Sequence, residues 1–295
     1  MNLRRRLIQQ LAAASLLGLA CLGMASAQAQ DFPSKPLKFV VPFPPGSGTD
    51  TSARYFAKKF TEITGQTVVV DNKPGANGFI AVRAVLSAPA DGYTVFVGSN
   101  STLAVNVALF KSLPYDPVAD FSPLSMLMRS PALLIVPGQG AHKTMSELIG
   151  NAKAQPGVLN YGAGSAGYQL MAESFNDAAK VQTTGVPFKG ASEAVTAVAS
   201  GTVNLAFAEM TSAQELVKSG KLRALAVASE KRSPALPQVP TASEAGLPGF
   251  TAYTWVAAAV SSRPPKRKPT SWRLCSPALK RCRKPVSFMS ASVPR

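Results

Sequence analysis

A unit of three parts recurs along the chain after residue 30, and it limits the possible folds more than any other feature of the sequence. Each unit is an apolar stretch of strand length, a turn of small residues, and a stretch with apolar residues at helical spacing. The first unit occupies residues 37–65, and a second series runs from residue 132 to residue 228. Strands that alternate with helices predict an α/β fold with mostly parallel sheets. Two such series predict two lobes.

The break between the two series gives the predicted domain boundaries. We expect lobe 1 to span residues 31–125 and lobe 2 to span residues 126–235. A proline-rich stretch at 234–240 then interrupts the alternation of strands and helices. We therefore expect residues 236–260 to form a crossover that returns to lobe 1.

Residues 1–29 are predicted to be a secretory signal peptide. Arg4, Arg5 and Arg6 form a basic start, residues 7–24 are apolar, and small residues at 25–29 provide two cleavage sites. A membrane anchor is the alternative, and the small residues with the cleavage sites weigh against it. Export through this peptide would place the protein in the periplasm.

The net charge of +16 is distributed unevenly along the chain. Residues 261–295 contain ten Lys and Arg and no Asp or Glu, and the predicted signal peptide contains three Arg. Residues 28–260 then hold 18 basic and all 15 acidic residues, a net charge of +3. The predicted lobes therefore lack the basic surface that a nucleic-acid partner requires.

Residues 261–295 differ so much from the rest that we predict a reading-frame shift near residue 260. The segment is basic and carries six prolines, which exclude a long helix, so we expect it to be disordered. A genuine basic tail that binds acidic partners is the alternative. A frame-shifted chain would be unstable and non-functional.

Four predicted strands end in small polar residues directly before a helix. These turns lie at residues 46–50, 77–78, 98–102 and 162–167. In open α/β sheets, ligands bind beyond the carboxyl ends of the strands, and the start of a helix attracts anions. The pattern predicts a carboxylate site built from backbone N–H groups. The alternative is that the glycines only form tight turns.

Enzyme motifs are incomplete in this chain. Residues 162–167 fit G-x-G-x-x-G, but no acidic residue stands about 20 positions later, as a dinucleotide site needs. Ser165 sits in a sequence like a nucleophile elbow, yet His142 precedes it, the wrong order for an α/β-hydrolase. We therefore predict no catalytic residue, no cofactor and no metal site. A secreted hydrolase-like enzyme using Ser165 remains the alternative function.

Several segments together resemble the substrate-binding proteins of tripartite tricarboxylate transporters, the Bug family. The resemblance runs from the signal peptide to about residue 257. The segments that carry it are VPFPPGSGTD at 41–50, VDNKPGANG at 70–78, LPYDP at 113–117 with DF at 120–121, VPFKG at 186–190, PTASEAGLPG at 240–249, and Trp255.

This resemblance implies a type II-like Venus-flytrap fold, the periplasmic-binding-protein architecture with a ligand cleft between two α/β lobes. It implies a monomer that captures a small organic acid or amino acid and works with the membrane subunits of a transporter or as a sensor. The ligand-binding residues implied by position are Phe43, Gly46, Ser47, Thr49, Asp50, Asn77, Gly78, Ser99, Ala163, Gly164 and Ala166. We further expect Asp50 to set ligand choice rather than fold stability.

Overall fold

The structure is a computed structural model that describes residues 32–262. The strands in this part of the chain are β1 (Leu37–Val41), β2 (Val68–Asn72), β3 (Thr94–Ser99), β4 (Phe121–Pro137), β5 (Asn160–Ala163), β6 (Thr184–Pro187), β7 (Leu205–Glu209), β8 (Leu222–Val227) and β9 (Tyr253–Ser261). The predicted signal peptide and all but the first two residues of the predicted tail lie outside the described residues.

Helices connect the strands in the order that the sequence predicts. They are α1 (Gly48–Thr64), α2 (Phe79–Leu86), α3 (Asn106–Leu109), α4 (Met145–Ala154), α5 (Ala166–Ala179), α6 (Ala191–Ala199) and α7 (Met210–Lys218). A 3-10 turn at Ala76–Gly78 precedes α2, and a π-helical turn at Ser101–Val105 precedes α3. Within residues 32–262, every helix is too short or too polar to cross a bilayer.

The strands lie in the order β2-β1-β3-β9-β4-β7-β5-β6, and β8 also pairs with β4. Pairing is parallel where β1 pairs with β2 and β3, and where β5 pairs with β6 and β7. The two strands that connect the series, β4 and β9, pair antiparallel with their neighbours. The predicted α/β class is therefore confirmed, in a sheet of mixed strand directions.

β4 is shared between the two halves of the sheet. Its residues 121–131 pair with β9, whereas residues 132–137 pair with β7 and β8. The partner changes between Pro131 and Ala132, a few residues beyond the lobe boundary drawn from the sequence. Strand β9 pairs with both β3 and β4, so the chain returns to the first half through this strand.

The sheet of the first half is covered on both faces. Phe39 and Val41 of β1 pack with Ala53 of α1, while Val40 packs on the opposite face with Val82 of α2. This alternation follows from the two-residue period of a strand. Both faces are apolar because helices cover both of them.

The second half follows the same plan. Leu134 of β4 packs with Phe175 of α5, and Leu133 packs on the other face with Val198 of α6. Leu236, in the proline-rich stretch, is buried against the second of these clusters. The start of the segment that the sequence marks as a crossover is therefore held by the second half.

Candidate functional site

A cleft lies where strand ends from both halves meet. It encloses about 330 Å³, part of it open to solvent. The residues that line it are mostly small or hydroxyl-bearing: Phe43, Ser47, Thr49, Ser99, Asn100, Ser101, Gly164, Ser165, Tyr168, Ala191, Glu209 and Thr254. None of these lining residues is Lys or Arg.

Helix starts surround the cleft. Ser47 is the N-cap of α1, Ser165 that of α5 and Glu209 that of α7, while Ala191 is the first residue of α6. The N-cap residues of α5, α6 and α7 make no side-chain capping bond. Because the first N–H groups of a helix lack partners within the helix, these starts point donors and positive dipole ends at the cleft. The site can therefore bind an anion without a cationic side chain.

Asp50 organises the turn that leads into α1. Its Oδ2 accepts hydrogen bonds from the Gly46 N–H at 2.9 Å and from Arg54 Nε at 3.0 Å. Its Oδ1 accepts from Asn72 Nδ2 at 2.9 Å. Ser47 Oγ in turn accepts from the Asp50 N–H, at 3.2 Å. The Asp50 carboxylate is thus bonded to the protein through both oxygens and does not line the cleft.

These contacts also set the charge state of Asp50. Burial by itself raises the pKa of this carboxyl, and hydrogen bonds from Arg54, the Gly46 N–H and Asn72 outweigh that effect. The pKa of Asp50 consequently lies below its ordinary value, and the group is ionised at neutral pH. These bonds favour a positioning role for Asp50, and the ligand-selecting role expected from the sequence stays a prediction.

Gly164 lies at a close approach between two chain segments. A Cβ at this position would lie 2.4 Å from the Ala191 backbone nitrogen, nearer than any side chain tolerates. The turn after β5 can therefore meet the start of α6 only with glycine here. This packing brings the starts of α5 and α6 together at one wall of the cleft.

Three hydrogen bonds connect the halves across the cleft. Ser101 Oγ donates to Ser165 Oγ at 3.0 Å, and it accepts from the Gly167 N–H, also at 3.0 Å. Ser192 Oγ donates to the Gly46 carbonyl at 3.3 Å. These bonds stabilise the arrangement in which the two walls face each other.

The contact made by Ser165 bears on the hydrolase alternative. The partner of its hydroxyl is the Ser101 hydroxyl, which cannot act as a general base. His142 lies just before α4 and does not line the cleft. Within residues 32–262, no group of three or more His, Cys, Asp or Glu side chains is placed to hold a metal ion.

Glu209 and Tyr168 form a buried polar pair in the cleft. Burial raises the pKa of the Glu209 carboxyl, although Tyr168, Thr211 and the Gly48 N–H lie close enough to oppose this effect. Burial, together with Glu209, raises the pKa of Tyr168 well above its ordinary value. Neither Glu209 Oε2 nor Tyr168 Oη makes a hydrogen bond of good geometry within the described chain.

The sequence-predicted binding residues divide into two groups. Those that line the cleft are Phe43, Ser47, Thr49, Ser99 and Gly164. Those that the structure places next to it or elsewhere are Gly46, Asp50, Asn77, Gly78, Ala163 and Ala166.

Members of the second group support the cleft rather than line it. Gly46 has a φ of 80° and bonds to Asp50, and Ala163 and Ala166 are buried beside Gly164 and Ser165. Asn77 and Gly78 form the turn before α2 with φ angles of 52° and 88°.

The sequence analysis missed several lining residues, of which Glu209 is the most informative. Glu209 ends β7 directly before α7, so it obeys the same strand-end rule as the predicted turns. It escaped notice because no glycine marks that turn. An acidic residue at the end of an otherwise apolar strand is the sequence signal that could have identified Glu209.

Comparison with known proteins places this architecture in a family. The sequence model of the family described as "Tripartite tricarboxylate transporter family receptor" matches residues 52–284. The chain belongs to this family. The predicted family resemblance is therefore confirmed, and the match reaches beyond residue 257, where the sequence analysis ended it. The prediction of a shifted frame in residues 261–295 stays a prediction, and most of that segment lies outside the described residues.

Curated relatives have similar sequences over most of their length. Protein BugT of Bordetella pertussis is 37% identical over 243 residues, which cover 81% of this chain and 74% of BugT. A protein encoded in the tcbD-tcbE intergenic region of Pseudomonas sp. strain P51 is 37% identical over 227 residues, 76% of this chain and 67% of that protein.

Solved structures resemble this one over most of its length. Rpa4515 of R. palustris, solved with adipate, has a TM-score of 0.77 at 34% identity and covers 82% of this chain and 80% of its own. MatC of Rhodopseudomonas palustris, solved with bound malate, has a TM-score of 0.76 at 33% identity and covers 85% of both chains. The periplasmic binding protein BugD has a TM-score of 0.75 at 29% identity, over 83% of this chain and 81% of BugD. The predicted two-lobed periplasmic-binding-protein fold is therefore confirmed.

Proposed function

We propose that this protein is a periplasmic receptor that captures a small carboxylate in the cleft and passes it to the membrane subunits of a tripartite transporter or to a sensor. In this proposal residues 1–29 are a cleaved signal peptide. The receptor is a monomer, needs no cofactor or metal, binds no nucleic acid, and performs no catalysis.

The chemistry of the cleft carries the proposal. The starts of four helices surround a space whose lining bears hydroxyl groups and no Lys or Arg. Uncapped backbone N–H groups and helix dipoles favour an anion small enough to lie among them. A carboxylate has the size, charge and acceptor oxygens that such donors suit.

Membership of the receptor family gives this chemistry a biological setting. Structures similar to this one were solved with adipate and with malate, both small dicarboxylates. Hydrogen bonds between Ser101 and Ser165 and between Ser192 and Gly46 join the two walls. A ligand held between the walls would add contacts to both, and this would stabilise the closed arrangement that a membrane partner recognises.

A thermal-shift screen of organic acids tests the proposal. A ligand at a hundred times its Kd should stabilise the fold by about 2.7 kcal/mol. At least one small carboxylate should raise the melting temperature of the purified protein, and neutral sugars of similar size should not. A shift with sugars and with no acid would overturn the proposal.

Thr49→Val locates the binding event. Thr49 lines the cleft, and valine keeps its shape while removing the hydroxyl. We expect the Kd for the best acid to rise about 10-fold, the effect of one lost hydrogen bond to a charged group. Thr51→Val is the matched control, because Thr51 is exposed on the same helix. Equal affinity in both variants would place the ligand elsewhere.

A further inference from the structure

Glu209 is the one acidic side chain among the residues that line the cleft. It comes from the end of β7, is 6% exposed, and lies against the first residue of α1. A Cβ built on Gly48 would stand 1.5 Å from Glu209 Oε2, so the carboxyl fills the space that a side chain at position 48 would need. A carboxyl of the protein thus already lies at this helix start.

Three donors of the protein, the Gly48 N–H, Tyr168 and Thr211, lie near the Glu209 carboxyl, but they do not satisfy all of its acceptor positions. Its Oε2 is buried without a well-oriented hydrogen bond among the described residues, and so is the neighbouring Tyr168 Oη. Buried polar atoms in native proteins nearly always have partners, and those that lack one within the chain mark a place for a ligand or an ordered water. Both residues line the cleft, so a ligand in the cleft would lie beside them.

The lining of the cleft therefore combines N–H donors with one acidic side chain. Around Ser165 and Ala191 it offers N–H donors, while at Glu209 it offers an acceptor with no Lys or Arg in the lining to balance it. A second ligand carboxylate beside Glu209 would put two like charges together away from water, which costs several kcal/mol in comparable interfaces. An N–H donor at the same place would meet an acceptor.

We propose that Glu209 makes this cleft select ligands that carry one carboxylate and, at their other end, an N–H donor such as an ammonium group, over dicarboxylates of the same length. The selection rests on the proposed carboxylate-binding function. It would distinguish this receptor from its relatives solved with adipate and malate. Tyr168, whose hydroxyl faces the same space, can add a hydrogen bond to the same end of the ligand.

Paired ligands of equal length test the selection directly. Calorimetric titrations at pH 7.5 compare succinate with 4-aminobutanoate, glutarate with 5-aminopentanoate, and adipate with 6-aminohexanoate. For the length that fits, we expect the wild-type protein to bind the amino acid at least about 10-fold more tightly than the diacid, a difference of about 1.4 kcal/mol. A diacid that binds as tightly or more tightly would overturn the selection.

Glu209→Gln removes the charge and keeps the shape. We expect it to lower the preference for the amino acid by at least about 10-fold, mainly through tighter binding of the diacid. Glu215→Gln is the matched control, because Glu215 is an exposed acid on α7 whose side chain is 81% accessible. An unchanged preference in Glu209→Gln, or an equal change in Glu215→Gln, would overturn the role of Glu209.

The outcomes separate this inference from the function on which it rests. If neither member of any pair binds and no other carboxylate does, the proposed function fails. If diacids and amino acids bind wild-type protein equally, the function stands and the selection by Glu209 fails. The wild-type ranking decides the matter even if Glu209→Gln does not fold, and a thermal melt of the variant shows whether it does.

Discussion

Asp50→Asn should weaken the fold and leave the ranking of ligands unchanged, because the Asp50 carboxylate is bonded within the protein. Asparagine has the same shape but only one acceptor oxygen. If its amide nitrogen takes the place of Oδ2, the bonds from the Gly46 N–H and Arg54 Nε are lost, and donors face donors. In the other orientation, the amide nitrogen meets the donor Nδ2 of Asn72.

The size of the loss follows from these contacts. A hydrogen bond to a charged group contributes about 1.5–3 kcal/mol, and two are lost at Oδ2. Arg54 is half exposed and regains water, which reduces the total. We expect a loss of about 3 kcal/mol, equivalent to a fall of about 6–12 °C in melting temperature for a domain of this size.

Calorimetry at several pH values is the assay. The folded pKa of Asp50 is lowered, so its contribution is complete above the ordinary value and is lost as the pH falls through the folded value. The difference between wild type and Asp50→Asn should therefore shrink below about pH 4. Asp71→Asn is the control, since its ion pairs are partly exposed and should contribute under about 1 kcal/mol. A loss for Asp50→Asn as small as the control, with a changed ligand ranking, would refute the reasoning.

Three further predictions concern the closing of the cleft, the charge of Glu209 and the reading frame. Gly48→Ala should hold the walls of the cleft apart, because its methyl group would overlap Glu209 Oε2. X-ray scattering of the unliganded variant should then show a larger radius of gyration. Adding Glu209→Ala should reverse the increase, and a double variant that stays enlarged would contradict the contact. The melting temperature of Glu209→Gln should exceed that of the wild type by an amount that grows as the pH rises from about 4 to 8. The raised pKa of Glu209 makes its ionisation destabilising in the wild type, while Tyr168 stays neutral. A difference in melting temperature that does not change with pH would count against this prediction. Another reading frame of the DNA for residues 261–295 should encode an Ala/Leu/Glu-rich helical segment. Such a segment could cover the exposed large apolar side chains of the described chain, most of which lie at or before Met126. If neither of the other frames encodes one, the tail is genuine.

Elements with a local cause were predictable from the sequence. The apolar run of β1 and the helical spacing that follows it place the strand and α1 without any tertiary information. The sequence signature of a capping box at residues 144–147 is matched in the structure, where Thr144 and Glu147 each bond the backbone near the other. Such signals survive because the interacting groups are neighbours in the chain.

Strands whose partners are distant were harder to predict. Residues 121–131 and 253–261 carry no clean alternation, and the sequence analysis predicted a strand in neither of them. In the structure they pair with each other as parts of β4 and β9. Prolines and register shifts in β4 weaken the pattern that would have revealed it.

The sequence by itself determined the α/β class and the family. It also located the small polar turns that follow strands, where ligands generally bind in such folds. Only the tertiary structure decided which of those turns meet. It brought Ser47, Gly164 and Glu209 to one cleft and left Asn77 in a supporting turn. It also bonded Asp50 internally and left Glu209 with an unused acceptor. The physical reason is that the partner of a buried carboxylate is set by packing between segments far apart in the chain, which no local pattern records.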